Sequence, residues 1–186
     1  MTAACFPRPH HVGPPPMLSR PRWTAILYLL LTLPAMAADK TAYLSLKMKD
    51  EVLMKEMTSG KTIMLPEFGI YDTEGFRIYH SIGLPDSFQK DVQAALAGNK
   101  REDGKLSDIQ ANMVHMDGSP FTDDSLKEAD FVFVEYWAEW CSACLKQMKQ
   151  VADIIGNAPE RKIRWLKVEK DPAKLDGAGI TGEKHH

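Results

Sequence analysis

Cysteine is scarce in this chain of 186 residues, which contains three: Cys5, Cys141 and Cys144. We expect Cys5 to be removed with an N-terminal signal, so that a single closely spaced pair remains. One such pair does not form the framework of a disulfide-stapled protein. A zinc finger is also excluded, because the sequence has no second Cys-x-x-Cys and no histidine pair at finger spacing. The pattern favours thiol–disulfide redox chemistry, and we expect neither a metal ion nor an organic cofactor.

Acidic residues are missing from residues 1–37, where the formally charged side chains are three arginines. Residues 23–33 form an apolar run that is short for the span of about 20 residues that a transmembrane helix needs. Ala35-Met36-Ala37 has the small-x-small form of a signal-peptidase site. We therefore predict a signal peptide over residues 1–37, cleaved on export, and a periplasmic location. A membrane anchor is the alternative.

The chain also lacks the features of a nucleic-acid or nucleotide binder. Its formal net charge is -2 at pH 7, and no basic patch with interleaved aromatic residues is present. A glycine-rich loop that could hold a nucleotide is missing. We therefore expect no nucleic-acid partner, and we expect a membrane electron donor to supply the electrons for redox chemistry.

The sequence around the cysteine pair, FVFVEYWAEWCSAC at residues 131–144, changes from a strand pattern to a helix pattern. The continuous apolar run at its start is typical of a strand that is buried on both faces. After Cys144, apolar residues recur at helical spacing as far as Gly156, and glycine commonly ends a helix. Cys141 is thus predicted at the start of a helix, where free backbone N–H groups and the helix dipole stabilise a thiolate.

The remaining segments predict further strands and helices. Residues 38–60, rich in Leu, Met, Lys and Glu without proline, predict an N-terminal helical segment. Residues 61–98 predict a hairpin around an Asp-Thr-Glu-Gly turn, followed by a helix. A charged linker, residues 99–106, then leads into the half that contains the cysteine motif, residues 107–186.

VEYWAEWCSAC, residues 134–144, resembles the active-site segment of thioredoxins, in which an acid, an aromatic residue, Trp-Ala-x-Trp and Cys-x-x-Cys follow in this order. The resemblance implies an α/β, three-layer thioredoxin-like fold, with a central mixed sheet flanked by helices. It also implies a redox-active disulfide between Cys141 and Cys144, in which Cys141 is the nucleophile and Cys144 the resolving cysteine. A cis-proline that faces this disulfide belongs to the same family pattern.

The motif that should carry this proline is incomplete, because Gly179-Ile180-Thr181-Gly182 runs into Glu-Lys-His-His. Residues 65–96, in contrast, show a proline, a strand, a turn, a strand and an amphipathic helix, which resembles the piece that thioredoxins have after the active site. This order predicts a circularly permuted thioredoxin fold, joined through residues 99–106, with Pro66 as the substrate-binding cis-proline. The alternative is a trans Pro66 at a strand edge, with the fold completed by another chain.

Two further side chains belong to the predicted site. Glu135 has the position of the buried acid of thioredoxins, and burial near the thiols would raise its pKa and let it accept the proton of Cys144. An ion pair with Lys167 on the neighbouring strand is the alternative role of Glu135, and the two roles are compatible. Trp140 is expected to shield the disulfide and to offer substrates a flat apolar surface.

The dipeptide between the cysteines, Ser142-Ala143, differs from the Gly-Pro of thioredoxin and from the Pro-His of the oxidase DsbA. It resembles the x-Ala dipeptide in the periplasmic domain of the transmembrane electron carrier DsbD. We therefore predict an exported enzyme, a thiol:disulfide oxidoreductase that reduces disulfides of exported proteins. The alternatives are an oxidase or isomerase, and a redox-inert binding or chaperone module of thioredoxin fold, linked to a metal through Cys141 and Cys144.

Overall fold

The computed structural model of the protein describes residues 43–60, 62–98 and 100–175. The signal peptide predicted over residues 1–37 and the incomplete loop at Gly179–Gly182 lie outside the described residues. In the described part of the chain, no helix is long and apolar enough to cross a membrane.

Six strands form a single mixed sheet in the described residues. The strands are β1 (Tyr43–Met48), β2 (Glu67–Tyr71), β3 (Arg77–Ile82), β4 (Met113–His115), β5 (Phe131–Trp137) and β6 (Ile163–Glu169). The helices are α1 (Asp50–Thr58), α2 (Phe88–Ala97), α3 (Leu106–Gln110) and α4 (Ser142–Gly156), with short 3-10 helices at Asp124–Glu128 and Pro172–Lys174. The spatial order of the strands is β3-β2-β5-β6-β1-β4. The pairs β5–β6 and β6–β1 are parallel and the others antiparallel.

Side chains that alternate along β5 divide the hydrophobic core between the two faces of the sheet. Val132 and Val134 lie in a cluster with residues of β1, α1 and α3. Phe131 and Phe133 lie in a second cluster, with residues of α2 and α4. β5 is therefore buried on both faces, as its continuous apolar run predicts. Helices cover both faces of a central mixed sheet, which confirms the predicted α/β, thioredoxin-like fold class.

Within the described residues 43–60, the helical segment that the composition predicts is present only in part. Tyr43–Met48 is strand β1, which pairs with β6 and β4, and α1 begins only at Asp50. The physical reason is burial: Leu46 and Met48, two positions apart on the strand, both point into the same core cluster, and tertiary pairing overrides helix propensity. This part of the chain belongs to the same sheet as the cysteine motif.

The predicted hairpin is present as β2 and β3. The Asp72 carboxylate closes its turn, because Oδ1 accepts hydrogen bonds from the backbone N–H groups of Glu74 and Phe76, both at 2.9 Å. Gly75 has a φ angle of 77°, in the left-handed region that favours glycine. The turn signal in the sequence therefore corresponds to a real side-chain-stabilised turn.

The linker that follows the hairpin helix is fixed to the hairpin turn. The Arg101 guanidinium forms ion pairs of 2.8 Å with Asp72 and with Glu74. Its Cζ atom lies 4.3 Å from the centroid of the Phe76 ring, in a cation–π contact. The contacts of Arg101 therefore attach this segment to the turn between β2 and β3.

The hairpin precedes β5 in the sequence but lies beside it in the sheet. The Leu65–Pro66 peptide bond is cis, and the next residue, Glu67, pairs with Tyr136 at the end of β5 that leads to the cysteines. This arrangement is consistent with a circularly permuted thioredoxin fold, and the permutation stays a prediction.

We expect Leu46→Ala to destabilise the protein strongly. The Leu46 side chain is 0% exposed in β1, and truncation of a buried leucine costs about 2–5 kcal/mol through lost burial and a residual cavity. Leu145→Ala is the control, because it removes the same atoms from a side chain that is 58% exposed, and should change the free energy of unfolding by less than about 0.5 kcal/mol. Chemical denaturation measures both, and equal effects would contradict the position of β1 in the core.

Candidate active site

The turn from β5 into α4 carries the two cysteines. Cys141 is the N-cap residue of α4 and is 5% exposed, whereas Cys144 is completely buried. The two form a disulfide with their Cα atoms 5.3 Å apart. Cys141 Sγ also accepts a hydrogen bond of 3.1 Å from the backbone N–H of Cys144. This N–H belongs to the first turn of the helix, where backbone donors lack intrahelical partners. The Cys141 sulfur is therefore the acceptor for one of these free donors.

The electrostatic surroundings of Cys141 favour negative charge on its sulfur. The first turn of α4 contains no acidic residue, so no carboxylate there competes for the free N–H groups. The nearest acid before the cysteine in the sequence, Glu139, is held in an ion pair of 2.7 Å with Lys174, which also binds Glu169 at 2.7 Å. The helix dipole and the N–H donor are therefore the main local influences on a Cys141 thiolate.

Trp140 directly precedes Cys141, and its indole ring is exposed to solvent at 58% of its surface. Its Nε1 donates a hydrogen bond of 3.1 Å to Asp171 Oδ1, and the same oxygen accepts the backbone N–H of Ala173 at 3.0 Å. The loop after β6 thus fixes the ring in place. Sequence analysis did not identify Asp171 as a site residue, although its position before Pro172 marks it as the N-cap of a turn.

Glu135 is completely buried in β5. Its Oε2 accepts a hydrogen bond of 3.1 Å from Trp165 Nε1, while Oε1 is buried without a hydrogen bond to any described residue. Desolvation raises the pKa of Glu135 to about 8, against weaker lowering effects from the Trp165 hydrogen bond and the positive charge of Lys167. Glu135 is therefore a carboxyl group that is mostly protonated at neutral pH.

Lys167, the alternative partner of Glu135, makes no direct ion pair with it in the described structure. The two residues are paired in register on β5 and β6. The Lys167 ammonium, however, lies 3.6 Å from the ring centroid of Tyr43 and 5.1 Å from that of Trp165. Burial lowers the pKa of Lys167, and the Glu135 charge opposes this effect. The charge of Lys167 therefore lowers the pKa of Glu135 without a direct ion pair. The ammonium group itself is stabilised by cation–π contacts with the two aromatic rings.

The chain directly after Pro66 is anchored by an ion-pair network. Glu67 Oε2 lies 3.4 Å from Lys170 Nζ, which forms a shorter ion pair of 2.7 Å with Glu56 on α1. Glu67 Oε1 lies 3.3 Å from His80 Nε2 on β3. These contacts join α1, the hairpin and the end of β6 near the cysteine turn. Sequence analysis did not find them, because the partners are far apart in the chain and no local pattern marks them.

We expect Glu135→Gln to make the oxidised protein more stable than wild type at alkaline pH and nearly equal to it at acid pH. The folded protein holds this proton up to a pKa of about 8, whereas the ordinary value is 4.5. Wild-type stability therefore falls by about 1 kcal/mol per pH unit as the pH rises between these values, and the amide lacks this penalty.

Denaturant unfolding at pH values across this window measures the difference. Glu51→Gln, on the exposed side of α1, is the matched control and should leave the pH dependence unchanged. A constant difference between wild type and Glu135→Gln across the window would show that the buried carboxyl is ionised throughout.

Comparison with known proteins covers the same part of the chain. Residues 112–179 match the family model described as Thioredoxin. A thioredoxin from Thiocapsa roseopersicina is 32% identical over 72 residues, which are 38% of this chain and 79% of that protein. A thioredoxin from Allochromatium vinosum is 32% identical over 60 residues, which are 32% of this chain and 55% of that protein. No solved structure matches the chain. The chain belongs to the thioredoxin family, and it is a thiol:disulfide oxidoreductase.

Proposed function

We propose that the protein is an exported reductant, which reduces disulfide bonds of other exported proteins through Cys141 and Cys144 and receives electrons from a membrane carrier. The observation that carries the exchange chemistry in this proposal is the hydrogen bond of 3.1 Å from the Cys144 N–H to Cys141 Sγ at the start of α4, and the direction of electron flow is argued separately below. It favours the thiolate of Cys141, which is the attacking form in thiol–disulfide exchange.

In the proposed reaction, the Cys141 thiolate attacks one sulfur of a substrate disulfide. A bond forms between this sulfur and Cys141, and the other substrate sulfur leaves as a thiolate that takes a proton from water. Cys144 then loses its proton and attacks Cys141 Sγ, the mixed disulfide breaks, and the second substrate sulfur leaves. The substrate has gained two electrons, and the cysteine pair has lost them and become the disulfide.

The ionised fraction of Glu135, which is the minor form at neutral pH, is the proposed base that accepts the proton of Cys144. A carboxyl group with a pKa of about 8 is close to the ordinary pKa of a thiol, so the proton can move between them at little cost near neutral pH. Oε2 of Glu135 is held by Trp165, whereas Oε1 makes no hydrogen bond to a described residue. Oε1 is therefore the atom that we assign to the proton.

Trp140 and Pro66 are the proposed substrate-binding residues. Trp140 offers an exposed apolar ring next to the nucleophile. Two apolar side chains near Pro66 are about half exposed. Met64 lies two residues before Pro66, and Ile82 pairs with Glu67, the residue after it. Apolar surface at these places suits an extended polypeptide segment that carries the target disulfide.

The direction of electron flow is argued from the Ser142-Ala143 dipeptide. Neither residue carries a positive charge that would add to the effect of the helix start on the Cys141 thiolate. The reduced form is therefore stabilised less than in a pair with a histidine between the cysteines, which favours a low reduction potential and the role of an electron donor.

We expect the reduction potential of the Cys141–Cys144 pair to lie nearer to about −270 mV than to about −120 mV, the values for a general reductant and a strong oxidant. Equilibration with glutathione buffers measures it. The double variant Ser142→Pro with Ala143→His is the control and should have a higher potential. A wild-type potential above about −180 mV would exclude the reductant role.

We expect Cys144→Ala to accumulate mixed disulfides with exported proteins, because the intermediate on Cys141 can no longer be resolved. Incubation of the reduced variant with a periplasmic extract, followed by non-reducing electrophoresis, should show adducts that dithiothreitol removes. Cys141→Ala is the control and should trap few proteins, since Cys144 is completely buried. Adducts of equal amount on both variants would contradict the assigned roles.

A further inference from the structure

We propose that Gln147 is a positioning residue for the proton transfer between Cys144 and Glu135, and that its side-chain amide maintains the hydrogen-bond path between them. The proposal deepens the function given above and rests on the proton-accepting role of Glu135. The juxtaposition that carries it is a buried amide of α4 and a buried carboxyl oxygen of β5, on the face that α4 covers, both without a partner among the described residues.

The side chain of Gln147 is 0% exposed, yet neither its Oε1 nor its Nε2 makes a hydrogen bond to any residue that the structure describes. A buried amide without protein partners is unfavourable, and an apolar side chain of the same length would avoid this cost. Stability of the core therefore does not explain a glutamine at this position. The reason we propose for a polar group at this position is a role in the site.

Gln147 lies between the cysteines and the apolar part of α4. Cys144, Gln147, Val151 and Ile154 form the buried side of the helix. Gln147 follows Cys144 by about one turn, which is about 4.5 Å along the helix axis. The next members, Val151 and Ile154, pack in the cluster that also contains Phe133 and Trp165. The amide thus occupies the level just beneath the disulfide.

Glu135 faces the same space from the sheet. It is two positions after Phe133 on β5, so both side chains point to the face covered by α4, and its Oε2 is bound by Trp165 of the same cluster. Because β5 and β6 are parallel, the intervening α4 runs back along β5. Along α4, Gln147 therefore lies further than Cys144 from the cysteine end of the sheet, on the face from which the Glu135 side chain projects.

An amide suits this position because it donates and accepts hydrogen bonds without changing its own charge. Since neither amide atom bonds directly to a described residue, we place one ordered water molecule between the Cys144 thiol and Glu135 Oε1, held by the Gln147 amide. The proton crosses through this water, so the amide keeps its own hydrogens. In the resolving step, the Cys144 proton passes to the Glu135 carboxylate as Cys144 Sγ bonds to Cys141 Sγ and the substrate sulfur leaves. Glu135 later returns the proton to solvent.

Substitution of Gln147 by another neutral residue does not change the charge near Glu135. Within the described residues, Lys167 of β6 is the charged side chain that acts on the Glu135 carboxyl. The β2 residue that pairs with Glu135 is Phe68. α4 contributes Cys144 and Gln147 from its buried side. A shift in the titration of Glu135 on substitution of Gln147 would therefore report the loss of the water-mediated contact that we propose.

The test is Gln147→Met, which keeps the length of the side chain and removes both polar atoms. Reduced protein reacts with an aromatic disulfide, dithionitrobenzoate, in two phases, release of the first thiolate by Cys141 and of the second by Cys144. We expect the second phase to slow about tenfold at neutral pH, part of the effect of a general base. Its pH profile should shift to higher pH, because the Glu135 carboxylate loses the water-mediated donor that we assign to the amide. The first phase should not change.

Gln150→Met is the matched control, since Gln150 lies about one turn further along α4, is half-buried, and also has an Oε1 atom without a partner among the described residues. It should leave both phases within about twofold of wild type. Gln147→Asn, which keeps an amide, should restore most of the rate and the wild-type pH profile. A residue needed only for packing would not give this rescue.

A wild-type profile in Gln147→Met, together with an altered profile in Glu135→Gln, would overturn the role of Gln147 and leave that of Glu135 intact. A wild-type profile in Glu135→Gln would instead overturn the proton step of the proposed function. If Gln147→Met does not fold, Gln147→Leu and Gln147→Asn give the same comparison, and a profile that is equal in the Leu and Asn variants overturns the proposal.

Discussion

The hydrogen bond from the Cys144 N–H to Cys141 Sγ is the interaction on which the site depends. It exists because β5 ends where α4 begins, so that the sulfur takes the place of an N-cap oxygen. Core packing fixes the position of this turn, because β5 is buried on both faces and Val151 of α4 packs in the same cluster as Phe133. A strand with one exposed face would leave the helix start free to move relative to the sheet.

Two neighbouring environments favour opposite charge states. The helix start favours an anionic sulfur on Cys141, while burial favours the neutral carboxyl of Glu135, whose pKa is raised to about 8. The proton that Glu135 is proposed to accept is that of Cys144, and because the raised pKa of the carboxyl is close to the ordinary thiol value of about 8.5, the transfer costs little near neutral pH. The chemistry of the site therefore arises from a helix that begins at the end of a strand buried on both faces.

Local patterns in the sequence predicted the elements that they determine. The apolar run of β5, the helical spacing after Cys144 and the turn at Asp72 all correspond to structure. The segment at Tyr43–Met48 was predicted wrongly, because its Leu, Lys and Met composition suits a helix, while the alternation of buried residues, which marks β1, is short. The Trp140–Asp171 contact could not be predicted, since only the folded sheet brings the two residues together.

The position of β1 also bears on the geometry of the site. α1 follows β1 directly and contributes Glu56, which forms an ion pair of 2.7 Å with Lys170. The Lys170 backbone N–H in turn donates to the carbonyl of Trp137 at 2.8 Å, at the last residue of β5. Because Lys170 is buried, loss of an acidic partner would leave a charge poorly compensated in the interior. The end of β5, and with it the cysteine turn, is therefore held by a residue that lies far from it in the sequence.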